Sequence, residues 1–106
     1  MRRTFFQNVR NLYYLYLSNN GLKAIEPKAF EKITNLNSLY LDNNEFSSLG
    51  EQVFYNLKTL KDLNLCGNKF RTIYHIKSNL QFLSSLESID LGDNQIEYLD
   101  ENDFDL

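Results

Sequence analysis

Residues 36–49 read LNSLYLDNNEFSSL, and this stretch decides the fold because its spacing recurs along the chain. A fixed repeat of this length is typical of a solenoid, in which each unit buries its apolar face against its neighbours. The same six slots are filled again from Leu12, Leu60 and Leu86, so that successive copies begin 24, 24 and 26 residues apart. The constrained positions of the quoted copy are Leu36, Leu39, Leu41, Asn44, Phe46 and Leu49.

The segment around the second and third leucines of each copy alternates apolar and variable residues. That alternation is the period of a half-buried strand. One short strand per unit, running in the same direction each time, predicts a parallel sheet. The leucines then face the core and the variable residues face outward. We expect Leu63 to be a core residue, because its unit has neighbours on both sides.

These repeated positions resemble the leucine-rich repeat family, and the resemblance covers almost the whole chain. It implies an α/β fold, a right-handed horseshoe solenoid with a short parallel concave sheet and an irregular, 3-10 or short helical convex side. The recurring Phe positions, such as Phe30 and Phe54, would stack inside the convex side. The Asn of each unit would be buried and would bond the loop backbone of neighbouring turns. This ladder comprises Asn20, Asn44, Asn68 and Asn94.

The chain is predicted to be a single repeat array over residues 1–106. A partial repeat at 1–11 precedes repeats at 12–35, 36–59, 60–85 and 86–106. The Cys-rich caps of extracellular family members would need several cysteines, and the chain has one. We therefore expect part of a longer array, able to self-associate through uncapped apolar ends. The exposed end residues would include Phe5, Phe6, Val9 and Phe104.

The repeat subtype bears on where the protein works. The 24-residue period and the run from Leu22 to Phe30 resemble extracellular members such as Toll-like receptors, Slit-like guidance proteins and neuronal adhesion proteins. This resemblance implies an extracellular or cell-surface location. The alternative is a cytoplasmic adaptor, since no N-x-S/T glycosylation sequon is present. No apolar run of about 20 residues occurs, so no direct membrane insertion is expected in this segment.

Catalytic, cofactor and metal chemistry is not predicted. Nucleophilic catalysis needs a nucleophile beside an oriented base, but Cys66 and His75 should lie on opposite sides of the third unit. The acidic run at 100–105 does not fit a calcium-binding EF-hand loop, because Phe104 takes a liganding slot. A sequence pI near 5.0 argues against a nucleic-acid partner. We therefore expect no enzyme, no cofactor and no metal site.

The third unit is two residues longer than the first two, and the extra length falls between Ile73 and Leu80. Ser78 could cap a short helix through Leu80 and Leu83 on the convex side.

Charge is distributed unevenly along the chain. The net charge is +4 over residues 1–32, +1 over residues 33–85 and −8 over residues 86–106. An asymmetry of this kind bears on partners and solubility rather than on fold. It fits either a solvated acidic end or a last repeat that faces a basic partner.

The outward strand positions form a face that is aromatic at its N-terminal end and acidic at its C-terminal end. Tyr combines a large apolar ring with a hydroxyl, which favours it at interfaces. The predicted function is protein–protein recognition on this concave face, within an extracellular receptor or adhesion ectodomain. The alternatives are a cytosolic adaptor and a structural spacer whose parent protein binds elsewhere. The candidate binding residues are Tyr14, Tyr16, Tyr40, Asp42, Asp62, Asn64 and Asp90.

Overall fold

The computed structural model describes Met1, Phe6, Val9 and residues 11–97, except for the side chain of His75. Four three-residue strands form one parallel sheet in the order β1-β2-β3-β4. The strands are β1 Tyr14–Tyr16, β2 Ser38–Tyr40, β3 Asp62–Asn64 and β4 Ser88–Asp90. One helix, α1, spans Tyr74–Leu80 on the convex connection between β3 and β4. The predicted solenoid with a short parallel sheet is confirmed.

Adjacent units are in register, and their pairing continues beyond the short strands. Leu15, Leu39, Leu63 and Ile89 are successive partners across the sheet. Past the strand ends, the Leu41 amide donates to the Asn64 carbonyl at 2.9 Å, and the Asn43 amide donates to the Cys66 carbonyl at 2.8 Å. Equivalent outward side chains therefore lie one strand spacing apart, about 4.8 Å.

The core is built from the repeated leucines and phenylalanines. Leu63 is buried as predicted. The Phe30 and Phe54 rings stack at a centroid distance of 6.4 Å, which confirms the convex aromatic stack. Phe6 was expected to be an exposed end residue, but this is wrong, because its ring packs at 6.0 Å from Phe30 and is only 8% exposed. Val9 is exposed, whereas Phe5 and Phe104 lie outside the described residues.

The Asn ladder joins each turn to the one before it. Asn68 donates to the Leu41 carbonyl of the preceding turn and the Leu65 carbonyl of its own turn, both at 3.0 Å. Its carbonyl oxygen accepts the Phe46 amide at 3.1 Å. Asn44 makes the equivalent bonds, because it donates to the Leu17 and Leu41 carbonyls and accepts the Leu22 amide, and it is also buried.

The two ends of the ladder differ from this middle pattern. Asn94 donates to the Leu65 carbonyl at 2.9 Å but is only half-buried. The expectation of a buried, neighbour-bonding Asn20 is wrong, since Asn20 is exposed and its amide group donates to Ser18 of its own turn. The described residues include no earlier strand turn whose carbonyl Asn20 could reach.

The convex helix begins earlier than predicted. The proposed Ser78 cap is wrong, because α1 already starts at Tyr74 and Ser78 is exposed on it. Ile76 and Asn79 are both fully buried, and their spacing of three places them on the core-facing side of the helix. The Asn79 side chain accepts the Phe54 amide at 3.2 Å and donates to the Gly50 carbonyl at 2.9 Å. It ties the longer third unit to the convex segment of the second.

The turn after each strand has a residue in the left-handed backbone region at the same position of the repeat. These residues have φ between 51° and 69° and occupy the seventh position after the first leucine of each unit. Non-glycine residues that adopt this conformation most readily are Asn, Asp and His. Backbone geometry therefore restricts this column, which comprises Asn19, Asn43, Gly67 and Asp93.

Candidate binding face

The strand alternation sends three columns of variable side chains to the concave surface. Tyr14 and Tyr16 on β1 are 53% and 65% exposed, and Tyr40 on β2 is half-buried beside them. On β3, Asp62 and Asn64 are half-buried, and Asp90 on β4 is exposed. Ser38 occupies an outward position of β2 but is only 2% exposed, and its hydroxyl donates to Asn37 at 2.9 Å.

The N-terminal part of the face carries four neighbouring tyrosines, here called the tyrosine cluster: Tyr13, Tyr14, Tyr16 and Tyr40. The Tyr16 and Tyr40 rings are stacked at 4.4 Å with an interplanar angle of 4°. Tyr13 meets Tyr14 edge to face at 4.9 Å. Tyr13 was not among the predicted site residues, because it precedes the strand. The signal that could have found it is the run of aromatic residues in YYLY at 13–16.

Partial desolvation is the main cause that raises the pKa of the Tyr16 phenol, and the adjacent Tyr40 raises it further. The phenol therefore stays protonated across the physiological range and keeps a donor for hydrogen bonding. The tyrosine cluster offers a partner both ring surface and hydroxyl groups.

Four carboxylates, here called the acidic half, lie on the turn after β2 and on the third and fourth units: Asp42, Asp62, Asp90 and Asp93. Two of them are oriented by hydroxyl groups, since Ser18 donates to Asp42 at 2.6 Å and Ser88 donates to Asp62 at 2.9 Å. The Gly92 amide donates to one oxygen of Asp90 at 2.8 Å.

No Lys or Arg of the described residues forms an ion pair with any of these four carboxylates. The two ion pairs seen there, Lys69–Glu45 and Arg71–Glu97, lie outside the acidic half. The acidic half therefore has uncompensated negative charge in the part of the chain that the structure describes.

Cys66 lies among these carboxylates and is half-buried. Its sulfur lies 3.7 Å from a carboxylate oxygen of Asp93. Desolvation is the main cause that raises the pKa of the Cys66 thiol, and the negative charges of Asp90 and Asp93 raise it further. A raised thiol pKa lowers the thiolate fraction at neutral pH, which is the opposite of what an activated nucleophile requires.

A depression of about 300 Å³ lies between the tyrosine cluster and the acidic half. Tyr40 forms one wall, and Asp62 and Asp90 contribute carboxylates to the lining. Asn64 lies between Tyr40 and Asp90 in the strand register and completes the floor with Leu63, Ser88 and Ile89. A second depression, of about 480 Å³, follows the starts of the strands beside Tyr13 and Lys61.

Within the described residues, no group of three or more His, Cys, Asp or Glu side chains is placed to hold a metal ion. The His75 side chain and the acidic run at 100–105 lie outside the described residues. The helix that the structure describes is too short and too polar to cross a membrane.

Comparison with known proteins places this geometry in a family. The family model described as leucine rich repeat matches residues 1–46 and again residues 34–79. Among curated proteins, none matches the chain. The two overlapping matches cover most of the chain, and the sheet, the Asn ladder and the aromatic stack occupy the positions that the repeat pattern predicts. The chain belongs to the leucine-rich repeat family, whose repeats are generally protein-interaction modules and usually not enzymes.

Proposed function

We propose that this chain recognises a protein partner on its concave face, as part of an extracellular receptor or adhesion ectodomain. The observation that carries the proposal is the tyrosine cluster. Tyr16 is 65% exposed although its ring is stacked on Tyr40, so the pair is ordered without being part of the core. Rigid aromatic side chains at a surface lose little conformational entropy on binding and are frequent binding anchors.

The acidic half gives this surface a second property, because its carboxylates lie on the same sheet as the tyrosines. Complementary charge raises association rates and restricts the choice of partner more than it raises affinity. Tyr14, Tyr16 and Tyr40 would therefore anchor the partner, while Asp42, Asp62 and Asp90 would steer it. Asn64, between the two regions, would contribute a polar contact.

The extracellular assignment rests on the 24-residue repeat type. It is tested on the native protein in intact cells with a membrane-impermeant biotin reagent. Labelling of the protein, with a cytosolic control left unlabelled, would support it. Protection in intact cells combined with labelling after lysis would instead favour a cytosolic adaptor.

The binding face is tested by comparing proteins retained by the immobilised chain and by variants. The concave variant carries Tyr14→Ser, Tyr16→Ser and Tyr40→Ser. The matched control carries Tyr74→Ser, which removes a 72% exposed tyrosine from the convex side. We expect a partner that binds the parent and the control but not the concave variant, with both variants still folded by circular dichroism. Equal retention by the concave variant would contradict the proposal and favour a spacer role.

A further inference from the structure

The depression between the tyrosine cluster and the acidic half has the chemistry of a cation site. We infer that it receives an arginine side chain from a basic segment of the protein partner. This inference rests on the proposed function and names the kind of partner that the concave face fits.

The wall formed by Tyr40 is the first observation. Tyr16 covers one face of the Tyr40 ring at 4.4 Å, so the side of the ring that borders the depression is the one turned away from Tyr16. The stack also holds the ring in place. An aromatic face at a fixed position attracts a cation through the ring quadrupole, and a planar guanidinium can also stack on it.

The carboxylates opposite the ring are the second observation. Asp90 lies two strands from Tyr40 in the same register column, about 9.6 Å away along the sheet. A guanidinium stacked on Tyr40 would lie about 3.5–4 Å from the ring, which brings its positive charge to about 6 Å from Asp90 along the sheet. Asp62 borders the same space. The five donors of arginine lie in the guanidinium plane, so a ring can pack on the face of that plane while a carboxylate accepts hydrogen bonds at its edge.

The existing bonds leave acceptor capacity on both carboxylates. One oxygen of Asp62 accepts Ser88 at 2.9 Å, and the other lies 3.4 Å from the Ser38 hydroxyl, which donates to Asn37. One oxygen of Asp90 accepts the Gly92 amide. An ionised carboxylate offers about four acceptor positions. The present contacts therefore orient the two carboxylates and leave positions for charged donors.

Charge selects a cation over other ligands. No described Lys or Arg forms an ion pair with either carboxylate. An anion would be repelled, and a neutral side chain would supply no counter-charge to either carboxylate. A volume of about 300 Å³ is at the lower end for ligand pockets and accommodates one inserted side chain.

The inference is tested with the full chain, isotopically labelled for NMR, at low ionic strength. The probe is a short Gly/Ser peptide with a single central arginine, blocked at both ends. The matched probe has citrulline at that position, which keeps the shape and removes the charge. We expect saturable shifts of the Tyr40, Asn64 and Asp90 amides with the arginine peptide, and at least tenfold weaker binding of the citrulline peptide. Equal responses to both peptides would overturn the inference.

Two pairs of variants locate the site. Asp90→Asn should weaken binding of the arginine peptide at least fivefold. Glu51→Gln, which removes the same charge from the exposed convex side, should change the affinity for this peptide less than twofold. Tyr40→Phe keeps the aromatic face and should retain binding of the arginine peptide. Tyr40→Leu removes that face and should weaken binding at least fivefold. Equal effects of Asp90→Asn and Glu51→Gln would mean attraction by overall charge and would contradict a built site.

Failure of this inference can be separated from failure of the proposed function. A captured partner that requires Tyr14 and Tyr16 but binds the Asp90→Asn variant normally would remove the arginine site and leave concave recognition intact. A partner that tolerates both changes would overturn both.

Discussion

The two middle units and the last unit follow one sequence pattern but bury it to different extents. In the second unit, Leu36, Leu39 and Leu41 are fully buried. In the last unit, the corresponding Leu86, Ile89 and Leu91 remain partly exposed. The difference shows that the environment of a repeated residue depends on its neighbouring units as well as on its own sequence. Stability in such an array is close to a sum of unit and interface contributions.

The largest expected effect is the loss of stability in Leu63→Ala, which we compare with Ile89→Ala. Leu63 and Ile89 pair directly across the sheet. Leu63 is 2% exposed, so its truncation should reduce the free energy of unfolding by about 2–5 kcal/mol. Ile89 is partly exposed, so its truncation should cost roughly half as much. Denaturant unfolding followed by circular dichroism measures both. Equal costs would mean that the last unit is as well packed as the middle ones.

The next largest expected effect is a difference in the free energy of unfolding between substitutions at two positions of the Asn ladder. Asn68→Ala removes the donor to Leu41 and Leu65 and leaves the buried Phe46 amide without its acceptor. We expect a loss of about 2–3 kcal/mol in the free energy of unfolding. Asn20→Ala should change it by less than about 0.5 kcal/mol, because the Asn20 side chain is exposed. A large loss at Asn20 would show that the sequence-based ladder applies to the first unit after all.

The sequence predicts the positions whose role is set by the repeat itself. The sheet, the core face and the middle of the Asn ladder follow from spacing alone, since Leu63 and Asn68 each have neighbours on both sides. Asn20 fits the same pattern, but the described residues include no preceding strand turn for it to bond. Asn79 was missed because it lies in the extended segment of the third unit, where the repeat pattern offers no equivalent.

The candidate face was predicted less completely than the core. The predicted tyrosines and aspartates were found by alternation, but Ser38 is covered by its surroundings, and Tyr13 and Asp93 join the face from outside the strands. The seventh-position column appeared variable, yet its residues share a left-handed backbone. Side-chain packing and turn conformation decide these cases, and neither is encoded in a period of apolar residues.

A smaller effect tests this turn column. Gly67 has φ +69°, and an added Cβ would meet the Asn43 carboxamide. Because the end of the Asn43 side chain can move away from the Cβ, Gly67→Ala should cost about 1–2 kcal/mol, mainly from the left-handed backbone conformation. Gly92→Ala, at the sixth position of the last unit, is the matched control because its backbone is outside the left-handed region. It should cost less than about 1 kcal/mol. Similar melting temperatures for both variants would contradict the backbone explanation.

The smallest expected effect is on the rate at which Cys66 reacts with a thiol reagent. This rate reports whether the last unit stays packed against the third. Cys66 belongs to the third unit, whereas Asp90 and Asp93, which help to raise the pKa of its thiol, belong to the last unit. The native protein should react with a thiol reagent more slowly than a free cysteine peptide at pH 8, and its rate should rise as pH increases through the raised pKa.

Replacing either carboxylate tests this coupling between units. Asp90→Asn and Asp93→Asn should each accelerate Cys66 labelling at pH 8 by a few-fold, less than the roughly tenfold change of a full pKa unit. Asn retains an acceptor for the Gly92 amide and tolerates the left-handed backbone at residue 93. Added salt should produce a similar acceleration by screening the two charges. If neither substitution nor salt changes the rate, the last unit is undocked during labelling, and its half-exposed leucines reflect fraying and not a well-packed edge.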